Sequence, residues 1–458
     1  MTQAQQRPVA RATGVKHEIY WRETEQVELG PPLRGDIRAD VCVVGAGYTG
    51  MWTAHNLKLA DPSLDIHLVE AEYAGAGASG HNDGFVTPTI GHNLRGVLDA
   101  FGAERAGHAY AMVGRSILEI GRFCRKFGVD AEYEPNGYYS VATSGAQLDR
   151  IHADLELAGT LGARTQPEIL GAAAAQERIG STEIKAAVKV GGALINPHKL
   201  ARGLARTLRA QGVHIHEQSP ATYGGQTPAG HVIRTPLGSV TAERVVLATN
   251  AYQHQFAPFR AKIRPRWSYA AVTEPLTDEQ LGKVAWPERE GFVEARNFIL
   301  FGRLTKDNRI LVGGGPAPYF YGRDMSEARH MRNDKLTTHL RDMLNRYFPV
   351  WRDVRFTHAY GGCVATTAEF VPHLGELAPG LFYGHGYCGN GIAVTHTAGK
   401  ALRDLVLGKQ THYTDLVFVN GRERGLPSEP VFYLKSRIRS ALLDWQDRHP
   451  TVIKRPLS

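Results

Sequence analysis

The first clear alternation of apolar and polar positions in this chain begins after Asp40. A short apolar run, Val41 to Val44, is followed by glycines, a helix-compatible stretch from Met51 to Ala60, and a second apolar run, Ile66 to Val69. Short β-branched runs bounded by turns are typical of buried strands. The order strand, helix, strand predicts the right-handed crossover of a parallel sheet covered by helices.

The pattern changes further along the chain. Two helical stretches, 96–127 and 145–160, flank strands around the turn Pro135-Asn136-Gly137. The apolar run Val245 to Ala248 then predicts that the first sheet resumes. Residues 258–315 alternate strands and turns and contain a hairpin signal at 306–309, which predicts a second, mostly antiparallel layer. Further on we expect a helix over 325–347, strands at 356–360 and 381–384, and a helix that opens at Gly391.

Length and composition fit this picture of more than one domain. The chain has 458 residues, of which 43% are hydrophobic and 21% charged, so it can bury a large core and is not of the disordered class. The net charge is +8. The basic residues are scattered and not interleaved with aromatics in a long run, so no nucleic-acid partner is expected.

The cysteines and the N-terminal sequence indicate the cellular compartment of the protein. The four cysteines stand far apart, without the spacing of a metal finger, which suits a reducing compartment. The N-terminus has no continuous apolar segment, and no run of about 20 apolar residues occurs. We therefore expect a cytoplasmic protein with no membrane partner.

The strongest motif is Gly45-Ala46-Gly47-Tyr48-Thr49-Gly50, because it follows a buried strand and opens a helix. In that context the glycines allow a tight turn and close approach of backbone to a pyrophosphate, which would meet the helix N-terminus. Glu70, at the end of the second strand, is placed to accept hydrogen bonds from ribose hydroxyls. The motif predicts a dinucleotide but does not separate NAD from FAD.

A second glycine-rich loop, Ala74 to Gly84, follows only a few residues later. With Asp40 to Gly50, the pair Tyr20 and Trp21, Val245 to Tyr252 and the end segment Gly361 to Gly399, this stretch resembles the D-amino-acid oxidase superfamily of flavoproteins. Its branches include glycine oxidase, sarcosine oxidase and gamma-glutamylputrescine oxidase. The resemblance implies FAD, bound in the first half by Gly45, Gly47, Tyr48, Thr49, Gly50, Glu70, Ala71, Gly77, Ala78, Ser79, Gly80, His81, Asn82 and Gly84.

The resemblance also implies an α/β fold with a Rossmann-type FAD-binding domain and a second domain on a mostly antiparallel sheet with helices. We predict an N-terminal arm over 1–38 and an FAD-binding domain from 39–95, 190–255 and 355–410. The substrate domain would comprise 96–189 and 256–354, and a C-terminal extension 411–458.

The end segment carries a second signal. Gly384 to Gly391 precedes an apolar helix and offers another helix N-terminus with close backbone access. In the superfamily, the matching segment lies against the pyrimidine end of the flavin. By that resemblance Gly389, Asn390, Gly391 and Ile392 contact the cofactor.

His81 leaves three alternatives open. The run ending in His81 resembles a segment of dimethylglycine dehydrogenase relatives in which a histidine is bonded to the flavin, although there a tryptophan precedes it and here Gly80 does. A noncovalent flavin contact and an unrelated loop histidine are the others. Cys363 and Cys388 are further candidates for attachment.

The residues that would act on substrate are less clear. Amino-acid oxidases of the superfamily commonly carry an arginine in the stretch that here reads Tyr360 to Thr367, and this chain has none there. The absence of this arginine favours an amine as substrate over a free α-amino acid. Arg303 could take an acidic group or be a surface arginine, and Trp267, Tyr269 and Tyr360 could line an amine pocket. Lys262 is a candidate for assisting oxygen.

We therefore predict an FAD-dependent amine oxidoreductase. Hydride would pass from the α carbon of a primary or secondary amine to flavin, the imine would be hydrolysed, and O2 or another acceptor would reoxidise the cofactor. Two alternatives remain, a flavoprotein dehydrogenase subunit that passes electrons onward and a tRNA-modifying flavoprotein. No metal site is predicted, since His214 and His216 share a strand face without a third ligand.

Overall fold

The computed structural model describes residues 14–91, 94–162 and 167–449. Its strands are β1 (Gly35–Val44), β2 (Ile66–Val69), β3 (Phe85–Val86), β4 (Tyr138–Ala142), β5 (Ile169–Gly171), β6 (Ala186–Val190), β7 (Ala193–Leu194), β8 (His214–His216), β9 (Thr222–Thr227), β10 (Gly230–Thr235), β11 (Gly238–Leu247), β12 (Arg264–Thr273), β13 (Gly291–Glu294), β14 (Leu300–Leu304), β15 (Ile310–Gly314), β16 (Phe356–Thr366), β17 (His373–Ala378) and β18 (Leu381–His385).

The α-helices are α1 (Tyr48–Ala60), α2 (Ala78–His81), α3 (Leu94–Phe101), α4 (Ala103–Phe127), α5 (Gly145–Gly159), α6 (Ala172–Ile179), α7 (Pro197–Ala210), α8 (Asp278–Gly282), α9 (Glu327–His330), α10 (Asp334–Tyr347), α11 (Gly391–Val406) and α12 (Glu429–Arg448). Short 3-10 helices lie at Tyr20–Glu23, Asn250–Gln255, Ala257–Phe259, Tyr321–Arg323 and Pro349–Trp351.

The first sheet has the strand order β17-β18-β11-β1-β2-β8. β18, β11, β1, β2 and β8 pair in parallel, while β17 and the hairpin β9-β10 are attached in antiparallel fashion. Val41 and Val43 of β1 are fully buried beneath α1, which packs against α11 and α7. The strand, helix, strand order at the start of the chain thus forms the predicted parallel unit, and its carboxyl edge faces the glycine turns.

The second sheet has the order β16-β12-β15-β14-β13-β4-β6-β5. Only β13 and β4 pair in parallel among the described strands of this sheet. Helix α10 covers it through an apolar face that includes Leu340 and Leu344. The predicted α/β class with a mostly antiparallel second layer is confirmed, as is the hairpin of β14 and β15 around 306–309.

Several boundaries differ from the sequence pattern. The stretch 96–127 contains two helices, because Gly102 adopts a φ of +77° between α3 and α4. The stretch 325–347 is likewise divided into α9 and α10. β16 was predicted as part of the first domain but pairs along its length with β12 of the second sheet, and β1 begins at Gly35, within the predicted arm.

The N-terminal arm is joined to the body by buried groups. Tyr20 and Trp21 are buried against β12 and β16. Further along, the fully buried carboxylate of Glu217 accepts from the backbone N–H groups of Gly30 and Ala74 and pairs with Arg202 at 3.1 Å. Burial opposes ionisation of Glu217, but these donors hold its pKa below the ordinary value. One carboxylate thereby connects the arm, the second glycine loop and α7.

No helix in the described part of the chain combines the length and the apolar character needed to cross a bilayer.

Candidate active site

The first glycine turn forms where β1 ends and α1 begins. Gly45 has a φ of +102°, and a Cβ added to Gly50 would lie 2.1 Å from the carbonyl oxygen of Gly45. Glycine at position 50 therefore lets the first turn of α1 close onto the loop. Tyr48 and Thr49 begin the helix, so backbone N–H groups and the positive end of the helix dipole point out of this edge of the sheet.

Glu70 holds the neighbouring position at the end of β2. Its Oε2 accepts from the N–H of Ala46 at 2.8 Å, and its Oε1 accepts from the N–H of Glu72 at 3.0 Å. Ala71, between Glu70 and Glu72 in the chain, is exposed. Burial raises the pKa of Glu70. Each oxygen keeps a second lone pair for a hydroxyl donor. The carboxylate is thus fixed to the glycine turn, where a ribose would lie.

The second glycine loop packs against the first. Gly77 precedes the short helix α2, and the hydroxyl of Ser79 accepts from the N–H of Tyr48 at 2.8 Å. Ala78 and Gly80 lie on either side of it in α2. One hydrogen bond therefore holds the starts of α1 and α2 together.

The loop then ends in a tight turn. The side chain of Asn82 donates to the carbonyl of Ala78 and accepts from the N–H of Gly84. Gly84 has a φ of +76°, and a Cβ there would lie 2.1 Å from the carbonyl oxygen of Ile195. Only glycine fits this turn without a shift of the backbone.

The side chain of Arg303 donates hydrogen bonds to the backbone of that turn. Its guanidinium Nη1 donates to the carbonyl oxygens of Gly84 at 3.2 Å and Ile195 at 2.9 Å. The alternative of a surface arginine is wrong, because Arg303 is only 1% exposed. Burial lowers its pKa to about 10, so it stays charged at neutral pH. Arg303 is brought to the predicted site, with two of its donor atoms directed to main-chain carbonyls.

The start of α11 completes the arrangement from the other side. Asn390 precedes the first turn of α11, and its Nδ2 donates to the carbonyl oxygen of Gly91 at 2.9 Å. Gly391 and Ile392 form the first turn of α11. If a Cβ were added to Gly389, the nearest atom to it would be Cγ1 of Val364 in β16, 4.0 Å away. Open space therefore lies between the start of α11 and β16, which also packs against α2.

His81 lies at the end of α2 and is buried. Its Nε2 is 3.0 Å from Nη2 of Arg22, a residue of the N-terminal arm. Burial, together with the charge of Arg22, lowers the pKa of His81 to about 3. Because Arg22 can only donate, Nε2 is the accepting nitrogen and the proton of this neutral imidazole is on Nδ1.

Several buried polar atoms near this region have no hydrogen-bond partner among the described residues, among them Oδ1 of Asp83, the hydroxyl of Tyr360 on β16, Nε1 of Trp21 and Nε of Arg22. Asp83 and Arg303 both act electrostatically on Tyr360, whose pKa burial raises far above the ordinary value. Burial also raises the pKa of Asp83 to about 7, against the opposing effect of Arg303. Tyr360 and Trp21 also interact with each other, whereas the carboxylate of Asp83 is the buried acid of this group.

Sequence reasoning missed Asp83, Trp21 and Arg22 as site residues. The available signal for Asp83 was its place as the one acidic residue in the loop Ala74 to Gly84. Nothing in the chain order indicated that Trp21 and Arg22 would meet that loop, since 50 residues and more separate them.

Two predicted catalytic residues are directed elsewhere. Nζ of Lys262 donates to the carbonyl oxygen of Glu423 at 2.5 Å, in the C-terminal segment. The hydroxyl of Tyr269 donates to the carbonyl oxygen of His330 at 2.9 Å, within the core of the second sheet. Trp267, two residues earlier, donates likewise to the carbonyl of Asp324. The roles assigned to Lys262 and Tyr269 stay predictions.

The thiols and the histidine pair have their own surroundings. Cys363 lies on β16, and Cys388 adopts a φ of +51° just before α11. Burial raises the pKa of both thiols, that of Cys388 to about 11, so the reactive thiolate is disfavoured. His214 lies beside His67 and Asp65, and one possible ligand atom of each lies within 4.8 Å of the others, while the two imidazoles stack at 4.5 Å with ring planes 23° apart.

Taken together, the residues present fit a dinucleotide with a planar ring system. Two helix starts of the first sheet supply N–H donors for phosphate, Glu70 supplies acceptors for hydroxyls, and the space between α11 and β16 could take a flat ring. Tyr360 lies on β16, the same strand as Val364, and Asp83 lies two residues after His81 of α2, which packs against β16.

Comparison with known proteins gives a consistent result. Residues 40–405 match the family model described as DAO, FAD dependent oxidoreductase. The chain is 32% identical to gamma-glutamylputrescine oxidoreductase of Escherichia coli over 82% of this chain and 85% of that protein. It is 23% identical to glycine oxidase of Geobacillus kaustophilus over 82% of this chain and 95% of that protein. The crystal structure of the latter enzyme superposes with a TM-score of 0.71 at 19% identity, over 85% of this chain and all of that one.

We predict that Gly50→Ala weakens FAD binding by about 10–100-fold, because the added Cβ would overlap the carbonyl of Gly45 and overpacking of this kind costs about 1–3 kcal/mol. The ratio of visible to ultraviolet absorbance of the purified protein, followed by titration with FAD, measures it. Gly114→Ala, inside α4 with nothing within 4 Å of its Cβ, is the matched control and should keep its flavin. Equal flavin content in both variants would contradict the assignment.

Proposed function

Since this chain belongs to the FAD dependent oxidoreductase family, we propose that it oxidises a primary or secondary amine. Hydride leaves the carbon next to the amine nitrogen, and water hydrolyses the resulting imine to an aldehyde or ketone with release of ammonia or of the remaining primary amine. When bound, FAD supplies the two-electron acceptor for this hydride. The residues that would hold it are the two glycine turns, Glu70, Ser79 and the start of α11.

The observation that carries the choice of an amine is the unpaired carboxylate of Asp83. A buried carboxylate whose Oδ1 lacks a partner among the described residues is matched by an ammonium group. The Tyr360 hydroxyl, which interacts electrostatically with Asp83, can accept a second hydrogen bond from the same nitrogen. We therefore assign amine binding to Asp83 and Tyr360.

The surroundings of Arg303 support the same choice. A free α-amino acid needs a cation for its carboxylate, and a bidentate arginine is the usual solution. Nη1 of Arg303 is directed to Gly84 and Ile195, and its Nε lies 3.4 Å from the carbonyl of Leu304. These bonds occupy Nη1 and Nε, which leaves no pair of nitrogens for bidentate binding of a carboxylate. We therefore assign Arg303 a positioning role and propose a substrate without an α-carboxylate. The name of the E. coli relative, gamma-glutamylputrescine oxidoreductase, agrees with an amine compound.

The same pocket can prepare the amine for reaction. An amine that arrives as an ammonium ion must lose a proton before its carbon releases hydride. A carboxylate with a pKa near 7 can accept that proton at neutral pH. We propose O2 as the final acceptor, with H2O2 as product. A role of Lys262 in that step requires its ammonium to leave the carbonyl of Glu423.

Anaerobic mixing of the holoprotein with small amines tests the proposed function. We expect primary or secondary amines to bleach the visible flavin absorbance, and their N-acetylated counterparts to leave it unchanged because no basic nitrogen remains. Admission of air should restore the colour with uptake of O2 and release of H2O2. Bleaching by α-amino acids but not by the matching amines would overturn the substrate class. Bleaching that air does not reverse would instead contradict O2 as the acceptor.

A substitution at Asp83 tests the binding assignment. We expect Asp83→Asn to lower kcat/KM for an amine by at least about 30-fold, since loss of one partner of a buried charge pair costs about 2–5 kcal/mol. In the unsubstituted protein, kcat/KM should rise about tenfold from pH 6 to pH 8, as Asp83 ionises through a pKa of about 7. Asp83→Asn should lack this rise. Asp99→Asn, on an exposed helical turn, should retain both rate and pH profile.

We further propose that FAD is held noncovalently. The lone pair of His81 Nε2 accepts from Arg22, and Nδ1 carries the proton, so neither nitrogen is available to form a bond to the flavin. After acid precipitation the yellow colour should pass to the supernatant, and His81→Ala should still bind FAD. Colour retained in the pellet of the unsubstituted protein, but lost from the pellet of His81→Ala, would show attachment through His81 and overturn this proposal.

A further inference from the structure

Helix α12 presents an apolar stripe away from the body of the protein. Its members are Val431, Leu434, Ile438, Leu442 and Trp445, spaced three or four residues apart, which places them on one face of the helix. All five are exposed, Leu434 and Ile438 to 60%. A contiguous exposed apolar surface of this kind marks an interaction site.

The opposite face of α12 is already occupied by the body. Near its start, Glu429 accepts from the N–H of Gly322, and in its first half Ser436 accepts from Arg266 at 2.9 Å. Near its end, Asp447 accepts from the backbone N–H groups of Asn297 and Phe298, both at 2.9 Å. Polar contacts thus hold the helix along its length, and the stripe does not need to turn inward to satisfy the fold.

The charges beside the stripe identify the partner. Lys435 and Arg439 lie on one side of it and Arg437 and Arg448 on the other, all exposed, and Arg448 forms an ion pair with Asp444, the one acidic residue close to the stripe. Residues 450–458, outside the described part, add Lys454 and Arg455 and no acid. An apolar stripe with a tryptophan and basic residues on both sides is the pattern of a helix that lies in the interface of an anionic bilayer.

We propose that α12 docks this protein onto the surface of an anionic lipid membrane. The stripe would enter the boundary of the acyl chains while the four basic side chains reach the headgroups. A second copy of the chain fits less well, because basic side chains from both copies would then face one another. The proposal concerns a surface contact, not a span, and departs from the expectation of no membrane partner.

A cavity of the protein borders helix α12. A cavity of about 580 Å³ is lined by residues that include Tyr252, Tyr321 and Met325. Tyr321 is exposed at its edge, and its ring lies 5.6 Å from that of Tyr433 in α12. The helix and the mouth of the cavity therefore lie on the same side of the molecule.

The fluorescence of Trp445 can report membrane binding directly, because this residue lies in the apolar stripe. Five of the six tryptophans, Trp21, Trp52, Trp267, Trp286 and Trp351, are buried, while Trp445 is 41% exposed, and all six lie in the described residues. Addition of vesicles containing phosphatidylglycerol to the holoprotein should shift its fluorescence to the blue and protect it from acrylamide. Vesicles of phosphatidylcholine alone should do neither, and Trp445→Phe should abolish the shift.

Flotation with the same vesicles measures binding itself. We expect the double variant Leu434→Ser and Ile438→Ser to bind at least about tenfold more weakly, and high salt to release the unsubstituted protein. Leu118→Ser and Leu237→Ser, which change equally exposed leucines elsewhere, are the controls and should bind normally. Flavin content and circular dichroism verify that each variant is folded.

The opposing outcomes are also defined. Absence of binding to phosphatidylglycerol vesicles, or equal binding by the double variant, would overturn the proposal. Concentration-dependent dimerisation that Leu434→Ser and Ile438→Ser abolish, without vesicle binding, would overturn it in favour of a second copy of the chain. Amine turnover is not part of either assay, so this inference stands or falls separately from the proposed function.

Discussion

The buried guanidinium of Arg303 is the interaction on which the candidate active site depends. It sits on β14 of the second sheet yet donates to Gly84 and Ile195, which belong to segments beside the first sheet. A buried charge is costly unless its donors are paired, and here main-chain carbonyls accept from Nη1 and Nε of the guanidinium. The end of the second glycine loop is thereby held against β14, while α2 within the loop packs against β16, so the second sheet contacts the loop through two strands.

Burial has opposite effects on the other ionisable groups of the pocket. It raises the pKa of Asp83 to about 7 and lowers that of His81 to about 3, so both groups move toward their neutral forms. Arg303, with a pKa lowered only to about 10, stays charged at neutral pH. Such a setting suits a reaction that needs an unprotonated amine, since Asp83 can first attract an ammonium ion and then hold its proton.

The two ends of the chain serve the molecule in different ways. The N-terminal arm packs into the body of the protein. Trp21 is buried there, and Arg22 forms a hydrogen bond with His81 of the second glycine loop. The C-terminal helix α12 is held on the outside by polar contacts and leaves its apolar face open. Burial of the first segment completes the site, and exposure of the second creates a surface for association with a partner.

The sequence by itself determined the parallel unit, the glycine turn at 45–50, Glu70 and the start of α11, because each of these depends on neighbours within about 30 residues. It also predicted the antiparallel second layer and the hairpin of β14 and β15. Only the tertiary structure decided that β16 belongs to the second sheet, that Arg303 is buried, and that Asp83, Tyr360 and Trp21 meet. Those contacts join segments up to about 340 residues apart, and local pattern carries no information about which distant segments share a pocket.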